Sequence, residues 1–336
     1  MSGARAPKDV VLVTGATGFI GSRLVRELLD QGARVRALVR REDQLEPSLR
    51  SRVEVVTADL RDPGAPAAAV PGARWVLHLA ACARTWAREP GLFREVNVQA
   101  VERLLEASLR FGVERLVHVS TNLTLPGGRS PRPGEPLPHS TPYSESKLAG
   151  ERLVESYAAS GPAAVIVHPT RVYGPGPLTE ANSLSKIIAL YLRGRFRVRL
   201  DDKDVLANYV HVADVVDGIR LAAERGRSGA HYLLGGENLT FREFLGHVTE
   251  ISGIRHRVVA LPRPAALAVG YAAVLYGRLG GNALLTPAWV RSFLADWRGD
   301  SEPARRELGY EPRPARERIA ETIAWIRETL PVTAAA

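Results

Sequence analysis

Lysine is scarce in this chain: of 45 basic residues among 336, only Lys8, Lys147, Lys186 and Lys203 are lysine, and the rest are arginine. Cysteine is scarcer still. Cys82 stands alone, which excludes an internal disulfide, and no His/Cys cluster shows zinc-ligand spacing, so no metal is expected. A small buried hydrophobe is the favoured reading of Cys82. No apolar run reaches the roughly 18 residues that a bilayer span requires. The opening MSGARAPKDVVLVTG lacks the apolar core and cleavage site of a secretory signal, so a cytoplasmic location is the expectation. The one stretch with a membrane flavour, RPAALAVGYAAVLYGRLGG at 263–281, has an apolar run of about a dozen residues. It reads as a buried helix or one covering an apolar pocket, without stable membrane insertion.

The net charge of +9 and pI near 10 suit an anionic partner. The arginines read as scattered along the chain rather than gathered in a tail or an aromatic-interleaved patch, so nucleic acid is not an expected partner.

What is present is an alternation of short β-branched runs with helical patterns: VVLVTG, GSRLVRELLDQG, RVRALV, VEVVTADL, RWVLHLAA, VQAVERLLEASLRFG and RLVHVS. Strands of four to six residues alternating with longer helices predict βαβ units and a doubly wound parallel sheet. A Pro/Gly-rich loop precedes a helix that starts near Tyr143, and AAVIVHPTRVYG returns to the sheet. The expected architecture is α/β, a Rossmann-type domain over 7–173 to which 204–235 returns. A smaller discontinuous C-terminal substrate domain is built from 174–203 and 236–332.

In VVLVTGATGFIGSRLVREL, Gly15, Gly18 and Gly21 stand between a strand and a helix. Such a loop permits a tight turn, lets the backbone approach a pyrophosphate, and allows close packing of helix on strand. The end of the second strand selects between nicotinamide cofactors. NAD sites place a carboxylate there for the ribose hydroxyls, and NADP sites a cation for the 2′-phosphate. RVRALV ends in Arg40 and Arg41, with Glu42 and Asp43 one or two places late, which favours NADP(H) over NAD(H); the alternative is that both arginines only face solvent. Asp59 and Leu60, ending TADL, are placed to border the adenine, although Asp59 serves equally as a helix cap.

TPYSESK at 141–147 sets Tyr143 and Lys147 four residues apart on a helix, and so on one face. A free tyrosine, with a pKa of about 10, is a poor acid–base catalyst at neutral pH. A nearby ammonium, together with the positive charge of an oxidised nicotinamide, is expected to lower that pKa, and the same ammonium to hold the nicotinamide ribose, with Tyr143 giving its proton to a substrate oxygen as hydride arrives at carbon.

Together these segments resemble the extended short-chain dehydrogenase/reductase family over nearly the whole chain. The matching pieces are TGATGFIG, ADL at 58–60, HLAA at 78–81, Asn97 in EVNVQA, VHVST at 117–121 and YSESK. HPTRVYGPG at 168–176, YVHVADV at 209–215, GGENLT at 235–240 and ELGYEPR at 307–313 complete them. The resemblance implies cofactor contacts from Thr17, Phe19 and Ile20 within the glycine loop, from Leu79, Ala80 and Ala81, and from Ser120, Pro169 and Val172. It implies Asn97 near the nicotinamide, with a surface or capping amide as the alternative. It also implies a catalytic Ser or Thr after the VHVS-type strand. Thr121 fits if an extra residue lies near Pro126, and Asn122 otherwise. His78, His118 and His211 read as structural. Members of the family are commonly dimers, which implies a homodimer.

Two departures narrow the branch. Sugar-nucleotide dehydratases of the family follow the catalytic Thr with Asp-Glu, and here Asn122 and Leu123 follow. Many nucleotide-sugar epimerases carry an arginine where Ala207 stands, and its loss removes charge-assisted bonds to a diphosphate. Thr85, Trp86, Asn122, Leu123, Leu125 and Tyr173 are candidate substrate contacts, with domain-interface packing as the alternative. The chain looks like the dihydroflavonol-reductase and hydroxysteroid-dehydrogenase branch. That implies NADP-dependent reduction of a ketone or aldehyde on a small, fairly apolar molecule, or the reverse oxidation. The rivals are a sugar epimerase or dehydratase with retained NAD(P), and a non-catalytic NADP-binding regulator.

Overall fold

A computed structural model describes residues 10–330 apart from 85, 88, 90, 127–136, 202–204 and 280–285. Its strands are β1 (Val10–Thr14), β2 (Arg34–Val39), β3 (Glu54–Thr57), β4 (Ala73–His78), β5 (Arg115–Val119), β6 (Ala164–Pro169), β7 (Arg171–Tyr173), β8 (Val198–Leu200), β9 (Leu206–His211), β10 (His231–Leu234), β11 (Glu237–Thr240) and β12 (Val259–Leu261). Seven of them form one sheet in the order β3-β2-β1-β4-β5-β6-β10, every pair parallel. A parallel sheet is apolar on both faces because helices cover both. β1 shows this residue by residue: Val11 and Val13 enter one core with the Phe19–Asp30 and Val212–Arg225 helices. Leu12, pointing the other way, enters a second core with the Ala100–Arg110 and Pro142–Ala159 helices. From β1 the chain runs outward through β2 to β3 and then crosses to β4 on the other side of β1, so the strand order reverses between β1 and β4, which opens a crevice at the strands' carboxyl ends.

A third core, with Tyr173, Tyr191, Tyr209, Phe244, Trp297, Ile319 and Ile323, lies apart from the large sheet around β11-β9-β7. The stretch 204–235 is divided between the two regions. β10 completes the large sheet, whereas β9 pairs with β7 and β11 and bridges to Trp297, so the LANYVHV strand does not return to the Rossmann sheet as the sequence suggested. A buried ion pair, Arg318 Nε to Asp214 Oδ2 at 3.1 Å, ties the C-terminal Ala315–Thr329 helix to the Val212–Arg225 helix.

The Arg263–Arg278 helix also departs from expectation. It is not a buried helix, since only Ala266, Gly270 and Gly277 are buried, and none of its residues lines the cleft at the strands' carboxyl ends. Its small residues form the inward face, and a Cβ at Gly270 would stand 3.0 Å from the Pro287 nitrogen, so the large side chains are left outside. Among the described residues no helix is long and apolar enough to cross a membrane.

Candidate active site

The crevice is a cleft of about 740 Å³. Its floor is the glycine turn. Gly15 has φ +72°, and a Cβ there would meet the Ala80 nitrogen at 2.7 Å, so the position needs both the conformation and the missing side chain. Gly18 N donates to Gly15 O at 2.9 Å. A Cβ at Gly21 would come within 2.1 Å of Gly15 O, so the helix sits on the turn only because Gly21 is bare. Gly18 begins the Phe19–Asp30 helix without a side-chain cap, and Gly18 to Gly21 line the cleft, so first-turn N–H groups are offered to it. These features fit a dinucleotide pyrophosphate.

Thr17, Phe19, Ile20, Leu79, Ala80, Ala81 and Ser120 also line the cleft as the sequence suggested. At one end stand Arg40, Asp59 and Leu60. The two adjacent arginines differ in their engagements. Arg41 donates to both Asp43 oxygens, at 3.0 and 2.8 Å. Arg40, exposed at the end of β2, has no ion pair among the described residues. Asp59 accepts from the Arg61 backbone at 2.9 Å, and the Arg61 side chain, helped by the charge of Arg40, holds its carboxyl below the usual range.

Tyr143 marks the other end. Its helix, Pro142–Ala159, starts where predicted, because Pro142 fits the first turn and Thr141 and Ser144 form a reciprocal cap. Tyr143 lines the cleft, with the Thr121 hydroxyl hydrogen-bonded to its phenol. Thr121 rather than Asn122 therefore stands beside the tyrosine. Thr121 caps the short Asn122–Thr124 turn, and both it and Asn122 are buried just behind the lining of the cleft, so the place beside the phenol is what distinguishes Thr121.

Lys147 corrects an expectation. It is buried, and its Nζ donates to the Val119 carbonyl at 2.9 Å, with His118 Nε2 at 3.2 Å. Burial pushes Lys147 down to about 8 and Tyr143 up to about 12. Desolvation sets the direction of both shifts, and the Thr121 hydroxyl acts in the opposite sense on the phenol. Asn97 is a clamp, and not a surface amide. Its Oδ1 accepts from Cys82 N at 2.8 Å and its Nδ2 donates to Ser146 Oγ at 2.9 Å, joining the loop after β4 to the Tyr143 helix. Cys82 itself is buried beside it.

Other candidates from the sequence are not brought to the cleft. Tyr173 is a core residue: it meets Phe244 and His211 edge to face, and its hydroxyl donates to Ala315 O at 3.3 Å. Leu123 packs against that same core, Leu125 is buried, and Val172 packs against the large sheet. Pro169, ending β6, does not line the cleft, and Trp86 is half-buried outside its lining. Thr85 lies outside the described residues. Sequence patterns gave no sign of the wall opposite the glycine turn, Thr179, Glu180 and Ala181, or of Arg84 and Glu89. None of these belongs to a quoted motif.

A buried polar ladder behind the cleft was equally hidden. Ser120 Oγ donates to Glu151 Oε1, and both side chains are buried. His168 Nδ1 faces the Thr121 carbonyl at 3.0 Å, so it carries the proton, and Nε2 accepts from His231 Nδ1 at 3.0 Å. The other nitrogen of His231 meets the Glu155 carboxylate at 3.1 Å. Glu151, His168 and His231 offer atoms within 4.8 Å of one another, a proximity hidden by their separation in sequence. His78, whose Nδ1 meets Thr14 Oγ1 at 2.7 Å, His118 and His211 lie in or at the ends of strands. Burial lowers all four buried imidazoles: His78 and His211 to about 3, His168 to about 4, and His118 well below the ordinary value.

Comparison with known proteins agrees with this geometry. The model of the NAD dependent epimerase/dehydratase family matches residues 11–235. The chain is 32% identical to sterol demethylase protein B of Methylococcus capsulatus over 94% of its own length and 98% of that protein's. It is 32% identical to a 3 beta-hydroxysteroid dehydrogenase/Delta 5-->4-isomerase of Mycobacterium tuberculosis, over 90% and 86% of the two chains. Among solved structures, MoeE5 in complex with UDP-glucuronic acid and NAD is 30% identical with a TM-score of 0.75, covering 95% of this chain and 99% of that one.

Proposed function

We propose that this chain, which belongs to the NAD-dependent epimerase/dehydratase family, is an NADP(H)-dependent oxidoreductase. It reduces a ketone or aldehyde on a small, fairly apolar molecule, or runs the reverse oxidation. One observation carries the cofactor choice: Arg40 enters the cleft without an ion pair among the described residues, whereas neither Glu42 nor Asp43 lines it and Asp43 is taken by Arg41. A guanidinium free to form a fork of hydrogen bonds suits a 2′-phosphate.

Nicotinamide, when bound, supplies or accepts the hydride. Gly15, Gly18 and Gly21 hold the pyrophosphate, Asp59 and Leu60 border the adenine, and Leu79 to Ala81 and Ser120 support the middle of the cofactor. Lys147 and Asn97 act from behind by fixing β5 and the Tyr143 helix. Tyr143 retains its proton until a substrate oxygen accepts it, and Thr121 orients the phenol and polarises that oxygen. Ala207, buried in β9, supplies no cation for a diphosphate, which suits a less charged substrate. The division into a cofactor domain (7–173) and a substrate domain (174–203 and 236–332), with 204–235 shared between them, and assembly as a homodimer, belong to this same reading.

The test is net turnover. Purified protein, given NADPH or NADH and a panel of apolar ketones and aldehydes, is expected to oxidise NADPH stoichiometrically with product and to use NADH poorly. NAD(P) that stays bound, with a sugar isomerised or dehydrated and no net oxidation, would replace this reading by a sugar epimerase or dehydratase.

A further inference from the structure

The chain's basic excess and most of its exposed apolar bulk fall in the same place. Of the eight large apolar side chains exposed among the described residues, seven lie on β8, β12 and the helix that follows. Val198 and Val259 are direct register partners across β8 and β12, 51% and 54% exposed. On the Arg263–Arg278 helix and its C-cap, Val269, Tyr271, Leu275, Tyr276 and Leu279 are 50% to 80% exposed. Helical spacing puts these five on one side, opposite the buried Ala266, Gly270 and Gly277. The inner face is thus the small one and the outer face the large one, the reverse of a helix whose apolar stripe serves its own core. Helix and strand pair share one small core through Leu200, Leu261, Ala266, Leu267 and Val290.

The charge along the stretches that build this face is of one sign up to Asp201, which follows β8 and donates its backbone N–H to Leu261 O at 3.0 Å. Between Glu180 and Asp201, and again between Glu250 and Asp296, the chain contains no acidic residue and ten basic ones. That exceeds the net charge of +9 for the whole protein, so the remainder is nearly balanced. The arginines that read as scattered in the sequence therefore have a local excess. Arg195, Arg197, Arg255, Arg257, Arg263 and Arg278 are exposed, and none is in an ion pair among the described residues.

We propose that this face docks on an anionic lipid bilayer. The Arg263–Arg278 helix lies in the plane of the interface, with Tyr271, Leu275 and Tyr276 in the headgroup–acyl boundary and the arginines on lipid phosphates. An apolar face with aromatic residues and a cationic rim is the chemistry of an interfacial helix, and at 16 residues it lies on the surface and does not span. A second copy of this chain is the poorer occupant, since apposing two such faces brings two unpaired arginine sets together. The inference concerns a surface remote from the Tyr143 chemistry, and it stands whether or not the oxidoreductase reading does.

The test is flotation of the full-length protein with phosphatidylcholine vesicles made with and without phosphatidylglycerol, using the wild type and the double variant Leu275→Glu, Tyr276→Glu. Light scattering of both in solution and a thermal melt of each accompany it. The wild type should float with anionic vesicles only, lose most of that binding at high salt, and partition at least about tenfold more strongly than the folded double variant. Arg255→Glu, Arg257→Glu is a second variant, expected to weaken binding without touching the apolar face. The proposal fails if the wild type floats with neither vesicle or equally with both, or if folded variants float unchanged. It also fails if the wild type is a dimer that the Leu275→Glu, Tyr276→Glu variant turns into a monomer.

Discussion

The two ends of the cleft are built by different means. At the nucleotide end the determinants are backbone and surface: bare glycines, a helix N-terminus and an exposed arginine. At the reacting end they are buried side chains held by one another: Thr121 on Tyr143, Lys147 on the Val119 carbonyl, Asn97 between Cys82 and Ser146, and Ser120 on Glu151. The first arrangement offers a cofactor backbone N–H groups and an exposed guanidinium. The second shifts proton affinities through burial, raising Tyr143 and lowering Lys147 and the nearby imidazoles. Binding and chemistry should therefore be separable.

The largest separation is expected from Tyr143→Phe. Removing the phenolic proton should lower kcat by about 10²–10⁴-fold. NADPH affinity should stay within about threefold, because the pyrophosphate and Arg40 contacts lie elsewhere. Steady-state kinetics paired with titration of NADPH binding checks this, and an equal loss in both would merge the two ends into one unit.

A smaller effect sharpens the same contrast through pH. His78, His168 and His211 have folded-state values of about 3 to 4, against an ordinary value near 6.5. Their depressed values mean that the unfolded chain takes up protons first. Their contribution to stability is complete above about pH 6.5 and is lost as pH falls towards 4, by at most about 1.4 kcal/mol per pH unit for each imidazole. Urea unfolding between pH 7 and pH 4.5 should show this slope, and His168→Gln should remove one imidazole's share. A pH-independent midpoint would mean that these rings are not buried neutral.

The contrast also governs what was legible in the sequence. The glycine turn was readable because its requirement is local: three glycines between one strand and one helix. The start of the Tyr143 helix was readable too, since Thr141, Pro142 and Ser144 make their own cap. What escaped depends on residues far apart in sequence. Ser120, Glu151, His168 and His231 meet only because β5, β6 and β10 are neighbours and the Tyr143 helix crosses them. The direction of the Tyr143 and Lys147 shifts followed burial, which spacing does not report. Tyr173 and the LANYVHV strand were misassigned because β7 leaves the large sheet two residues after β6 ends, a change of partner that no local pattern marks.

The central claim is that Arg40 selects the phosphorylated cofactor, and its most direct test is the pair of dissociation constants for NADPH and NADH, measured on the wild type and on Arg40→Ala. The account predicts tighter NADPH binding by the wild type, and a loss of about 1.5–3 kcal/mol, roughly 10- to 150-fold, for NADPH alone in the variant. Equal affinities in the wild type, or an equal change for both cofactors in the variant, would contradict it.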